Sequence, residues 1–141
     1  MEVTKTAAIA GMEISEIESR IDEKQLKQLM EKIRRAKKIY VCGAGRSLLM
    51  LRCFAMRLMH VGYDAYVVGD TTTPAFEEGD LLIVGTASGE TTNLISIADR
   101  AKSYGGTIAV CSIFPESSLG KRADAFVRIP AYTDKLPESD D

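Results

Sequence analysis

The chain has no tryptophan, one histidine (His60), four prolines and three cysteines in 141 residues. A lone histidine leaves no imidazole pair for a zinc centre. Cys42, Cys53 and Cys111 are odd in number and lack CxxC spacing, so neither a metal site nor a disulfide framework is expected. Cys42 and Cys111 end apolar strand-like runs and Cys53 lies inside an apolar helical run, which predicts three reduced, buried thiols. No apolar run approaches the roughly 20 residues needed to span a bilayer. The start, MEVTKTAAIAGMEISE, also lacks the basic and apolar regions of a secretion signal, so a cytoplasmic protein without a membrane partner is expected. Excess positive charge is missing too. With 18 Lys and Arg against 20 Asp and Glu, the net charge of -2 offers no general attraction to nucleic acid. Any anion must be held by local geometry.

Hydrophobic residues make up 45% of the chain and charged residues 27%, the usage of one soluble domain spanning residues 1–141. Helical spacing governs the first third, through Ile14, Ile17 and Ile21 and then Leu26, Leu29 and Ile33, with Asp22 and Gln25 placed as a capping box between them. From Lys38 the pattern changes to short apolar runs, KKIYVCG, DAYVVG, DLLIVG, GTIAVC and AFVRIP, which read as five strands. The run SLLMLRCFAMRLMH predicts a helix after the first strand. A second helix, from Thr91 to Tyr104, follows the third strand and stops at Gly105 and Gly106. The connector TTTPAFEEGD has little room for a helix and is expected to cross the sheet as a loop. Strands apolar on both faces and joined by helices predict an α/β protein, a three-layer α/β/α sandwich with a five-stranded parallel sheet preceded by N-terminal helices. After Ile129, the sequence PAYTDKLPESDD is polar and aperiodic, so residues 130–141 are expected to form an exposed tail.

In open sheets of this kind, ligands bind beyond the carboxyl ends of the strands, where strand order reverses. Two segments fall at that edge. The first, Gly43-Ala44-Gly45-Arg46-Ser47, follows a strand and opens a helix. Gly45 permits close backbone approach, Ser47 caps the helix or meets an oxyanion, and Arg46 either grips a phosphate or faces solvent. It is not a dinucleotide fingerprint, because Leu48 stands where the third glycine belongs, and no GKS or GKT makes a P-loop anywhere. The second segment, Gly85 to Thr92, carries the hydroxyls of Thr86, Ser88, Thr91 and Thr92 at another helix N-terminus. Ser88 or Thr91 in one such loop can be explained by helix capping alone; two loops in corresponding positions favour phosphate capture. His60 closes the first helix, where it interacts favourably with the dipole.

The pair GAGRS and SGETT, placed after the first and third strands, resembles the sugar isomerase (SIS) domain family. The stretch FAMRLMHVGYDAYVVGDTTTPAFEEGDLLIVGTASGET is similar to the 6-phospho-3-hexuloisomerase branch of that family, and the likeness runs from Ile14 to Ile129. The resemblance implies a flavodoxin-like SIS fold, a sugar phosphate as partner, no cofactor, and a homodimer or homotetramer with the N-terminal helices at its interface. It implies interconversion of D-arabino-3-hexulose 6-phosphate and fructose 6-phosphate through an enediolate, in the ribulose monophosphate pathway. Alternatives are an aldose-ketose isomerase of the same fold and a noncatalytic sugar-phosphate sensor. By motif position, Gly45, Arg46, Ser47, Thr86, Ala87, Ser88, Gly89, Glu90 and Thr91 are expected to contact substrate, with Glu90 orienting its loop or binding a sugar hydroxyl. His60 is the catalytic candidate, in a neighbouring subunit's site. Family members continue into a C-terminal helix bearing the glutamate proposed as proton acceptor, and this sequence reaches Asp141 without one, so the catalytic base is left unassigned.

Overall fold

Along the central strands, alternate residues point to opposite faces, and nearly all are apolar. The computed structural model describes residues 2–131. The strands are β1 (Ile39–Gly43), β2 (Ala65–Val67), β3 (Leu81–Gly85), β4 (Thr107–Ser112) and β5 (Ala125–Arg128). They form one parallel sheet in the order β2-β1-β3-β4-β5. Ile39, Val41, Leu81, Ile83 and Val127 face helices α2 (Glu23–Arg35) and α3 (Gly45–His60). On the other face, Tyr40, Leu82, Val84, Ile108 and Val110 meet α4 (Thr92–Ser103) and the short α5 (Ser118–Arg122). The expected three-layer doubly wound fold is present, and its strand order reverses between β1 and β3.

No helix forms between β2 and β3, so the connector crosses the sheet as a loop. Its carbonyls at Pro74 and Ala75 accept hydrogen bonds from the Tyr40 hydroxyl, both at 3.0 Å, and the Phe76 ring packs against the Tyr40 ring, centroids 5.1 Å apart and planes tilted by 57°. Its other end is fixed by Asp80, which is 1% exposed and accepts from the backbone N–H groups of Lys38 and Glu77. The Lys38 ammonium lies 3.4 Å from the same carboxylate. Burial is thereby compensated by two amide donors and a counter-charge.

Several expectations are corrected in detail. The first of the expected N-terminal helices, α1 (Val3–Ser19), forms but buries no residue, and Ile14 on it is 58% exposed. Asp22 caps α2 as expected, but Gln25 accepts from the Arg128 N–H of the edge strand β5 instead of closing the capping box. Cys53 is exposed: it lies on the outer face of α3 with Leu49, Met50, Met56 and Met59, while the inner face is held by Ala55 and Leu58. At the start of the expected tail, Pro130 is buried and Ala131 half-buried, held by a short hydrogen-bonded turn from Ile129; the remainder, 132–141, lies outside the described residues.

Candidate functional site

Gly43 and Gly85 are register partners at the carboxyl ends of β1 and β3. A Cβ on Gly85 would stand 2.6 Å from Leu51 Cδ1, and one on Gly43 would lie 3.1 Å from both Leu51 Cδ1 and the Gly85 carbonyl. The missing side chains let α3 settle on the sheet at the reversal point. Gly45, at φ +57°, then turns the chain from β1 into α3.

Between the two strand ends lies a cleft of about 330 Å³, lined by Ala44, Gly45, Arg46 and Ser47 from one side and by Gly85, Thr86, Ala87, Ser88, Thr91 and Leu94 from the other. Helices α3 and α4 both begin here, and neither N-terminus is capped by a side chain. By contrast, α2 and α5, which begin elsewhere, are capped by Asp22 and Ser117. The uncapped first turns keep backbone N–H donors and positive dipole ends free for an anion. Arg46 adds the one formal charge among these lining residues.

Hydroxyls within the second loop are organised around the loop itself. Thr86, 7% exposed, accepts from the Gly89 N–H at 3.2 Å and lies 3.5 Å from the Thr91 hydroxyl. Ser88 accepts from the Glu90 N–H at 3.1 Å. Neither Ser88 nor Thr91 caps α4, and Ser47 sits in the first turn of α3 with Ala44 at the capping position, so helix capping explains none of these three hydroxyls.

Of the sequence-predicted contacts, Gly45, Arg46, Ser47, Thr86, Ala87, Ser88 and Thr91 line one cleft. Gly89 and Glu90 do not. Gly89, at φ +74°, backs onto Ser117 and Ser112, and Glu90 turns away to accept from the Ser118 N–H at 2.9 Å. Hydrogen bonds from the Ser118 side chain and N–H hold the Glu90 carboxyl below its ordinary value, which makes it a weaker base. His60 lies exposed at the opposite end of α3, about 22 Å from Gly45 at 1.5 Å of rise per residue. It does not reach the cleft of its own chain.

A second depression of about 400 Å³ continues the cleft over the ends of β4 and β5, sharing Ser47, Gly85, Thr86 and Ala87 and adding Met50, Leu51, Cys111, Ser112, Ile113, Ile129 and Ala131. Sequence reasoning omitted Cys111 and Ser112, although their place at the end of the fourth strand-like run was the available signal. Burial pushes the Cys111 thiol up to about 11 and that of Cys42 to about 12, so neither is a ready nucleophile near neutral pH. Among the described residues, no carboxylate or imidazole lines either part of the cleft.

The SIS domain family matches residues 32–136. The chain is 45% identical over 130 residues to the 3-hexulose-6-phosphate isomerase of Bacillus subtilis, covering 92% of this chain and 70% of that protein. It is 42% identical over 130 residues to the 3-hexulose-6-phosphate isomerase of Mycobacterium gastri, covering 92% and 65%. Protein MJ1247 of Methanococcus jannaschii, whose crystal structure is described as inferring a molecular function of 3-hexulose-6-phosphate isomerase, superposes with a TM-score of 0.74 at 38% identity over 80% of this chain and 63% of that one. The chain thus spans 63–70% of the length of these three relatives. With the parallel sheet, the paired glycines and the two hydroxyl-lined loops falling inside the matched region, this chain belongs to the SIS domain family.

Proposed function

We propose that the protein is a phosphosugar isomerase interconverting D-arabino-3-hexulose 6-phosphate and fructose 6-phosphate, in the setting of the ribulose monophosphate pathway. The observation that carries this reading is the convergence of two uncapped helix N-termini on one hydroxyl-lined cleft. Such a site suits a phosphate dianion, which accepts from several N–H and O–H donors at once. The relatives' names supply the sugar.

Converting the 3-ketose into the 2-ketose removes a proton from C2, passes through a 2,3-enediolate and returns a proton to C3. The protein must therefore hold the phosphate end, stabilise developing negative charge at the oxygens and present a base. In this reading Ser47, Thr86, Ser88, Thr91 and the first turns of α3 and α4 serve the first task, and Arg46, which lines the same cleft, serves the second. Gly45 and Ala87 contribute close backbone approach. The base comes from outside the described cleft residues, and His60 of a neighbouring subunit is our candidate. The unburied α1 and the apolar outer face of α3 support a homodimer or homotetramer. Among the described residues, no helix is long and apolar enough to cross a membrane. A cytoplasmic location, where phosphorylated sugars are made and consumed, accords with this reading.

Incubating the chain with 3-hexulose 6-phosphate and following fructose 6-phosphate by NMR tests the proposal. Conversion above the buffer rate supports it. Tight binding without conversion would instead favour a sugar-phosphate-binding module.

A further inference from the structure

The loop that lines the cleft is held from behind by the end of β4, the residue after it and the first turn of α5. Ile113 N–H and Ser112 Oγ both donate to the Ala87 carbonyl, at 3.3 and 3.1 Å. The Leu119 N–H donates to the Gly89 carbonyl at 3.0 Å, and the Ser118 N–H donates to Glu90 Oε2 at 2.9 Å. Three of these four bonds end on the loop's backbone carbonyls. The fourth ends on a side chain, and it fixes the residue between the cleft-lining Ser88 and Thr91. Glu90 also gives its own N–H to Ser88 Oγ, so its position sets where that hydroxyl stands.

We propose that Glu90 is a positioning residue: its carboxylate, tied to the Ser118 N–H, is a strut that holds Ser88 and Thr91 in the geometry that receives phosphate. This rests on the phosphate-binding reading of the cleft and adds to it a role for α5. Glu90 faces Ser118 rather than the cleft, so it neither removes a proton nor binds the sugar. What the strut requires is an acceptor oxygen, not a charge or a basic group.

That requirement separates the strut from a base. Glu90→Gln keeps an acceptor for the Ser118 N–H and leaves affinity and turnover near wild type. Glu90→Ala removes the acceptor and weakens fructose 6-phosphate binding by about 2- to 10-fold, the range of one ordinary hydrogen bond. A second variant removes the donor. Ser118 is the first residue of α5, where proline is tolerated, and Ser117 has φ -64° and ψ 167°, the extended conformation that a following proline favours. Ser118→Pro should therefore leave α5 in place while deleting the N–H, together with the hydroxyl that also bonds the Glu90 carboxylate, and should weaken binding as Glu90→Ala does.

The experiment is calorimetric titration of fructose 6-phosphate into wild type, Glu90→Gln, Glu90→Ala, Ser118→Pro and the Glu90→Ala/Ser118→Pro double variant, with turnover of 3-hexulose 6-phosphate measured beside it. The expected result is near-normal Glu90→Gln, and a double variant no weaker than either single loss, since both delete the same Glu90–Ser118 contact. Additive losses, or unchanged affinity in Glu90→Ala, would overturn the strut. Loss of turnover in Glu90→Gln with affinity kept would overturn it in favour of a base. Failure of wild type to bind fructose 6-phosphate would instead strike the phosphate-binding reading beneath it.

Discussion

Substituting Gly89 by alanine should disturb both the fold and the cleft, and the size of the effect follows from two separate features. The backbone there is left-handed at φ +74°, which costs a residue with a Cβ about 1–2 kcal/mol. The added Cβ would also overlap the Ser117 side chain, and forcing a methyl group into packed space typically costs about 1–3 kcal/mol. The sum is about 2–5 kcal/mol of unfolding free energy. Relief of the overlap must move either Ser117, which caps α5, or the loop whose Gly89 N–H bonds Thr86. Phosphate affinity should fall with either movement. Gly89→Ala/Ser117→Gly removes the overlap and leaves the backbone cost, together with a few tenths of a kcal/mol from exchanging the α5 cap for glycine. Urea unfolding of both variants, beside titration with fructose 6-phosphate, reads the two contributions separately. A Gly89→Ala protein as stable and as tight-binding as wild type would refute the reasoning.

Three further outcomes are expected. Asp80→Ala leaves the Lys38 and Glu77 N–H groups without their acceptor and breaks a buried ion pair, so urea unfolding should show a loss near 3 kcal/mol, the lower end of the about 3–5 kcal/mol range because Lys38 can reach water; a loss under about 1 kcal/mol would deny Asp80 that role. With iodoacetamide at pH 8, Cys53 should be alkylated first in native protein, with Cys42 protected by burial and half-buried Cys111 slowed by its raised pKa; mass spectrometry showing Cys42 modified at the same rate would contradict the packing described. Ser88→Ala with Thr91→Ala should lower unfolding free energy by no more than about 0.5–1.5 kcal/mol, the worth of the Glu90 N–H bond to Ser88, since neither hydroxyl caps α4, while weakening sugar-phosphate binding. A large stability loss with unchanged affinity would return both hydroxyls to a structural role.

Much of this architecture was legible because local pattern and tertiary demand agree. The runs around Tyr40, Leu82 and Ile108 are apolar on both faces, as a covered parallel sheet requires, and Gly105 with Gly106 ends α4 through bonds to Lys102 and Ala101. The shortage of room in TTTPAFEEGD correctly excluded a helix there. Five-residue α5 was missed because it is too short to show a hydrophobic period, and its marker, Ser117 as N-cap before Leu119, lies among other turn formers. Glu90 illustrates a limit of another kind. Its place in SGETT identifies the loop, but only the fold reveals that its carboxylate faces Ser118 and not the cleft. Cys53 departs from the expectation because an apolar helix need not be buried all round, and the outer face of α3 carries apolar residues that are exposed among the described residues.

The central claim is that the cleft between β1 and β3 captures the phosphate of a ketose phosphate, and heat unfolding with matched sugars tests it most directly. At 100 times its dissociation constant, a ligand bound only by the folded protein adds about 2.7 kcal/mol. For a chain of this size that raises the unfolding midpoint by roughly 5–11 °C. Fructose 6-phosphate should produce that shift, unphosphorylated fructose at the same concentration should produce little, and Ser47→Ala/Thr86→Val should reduce the difference. Equal shifts from the two sugars would contradict phosphate capture.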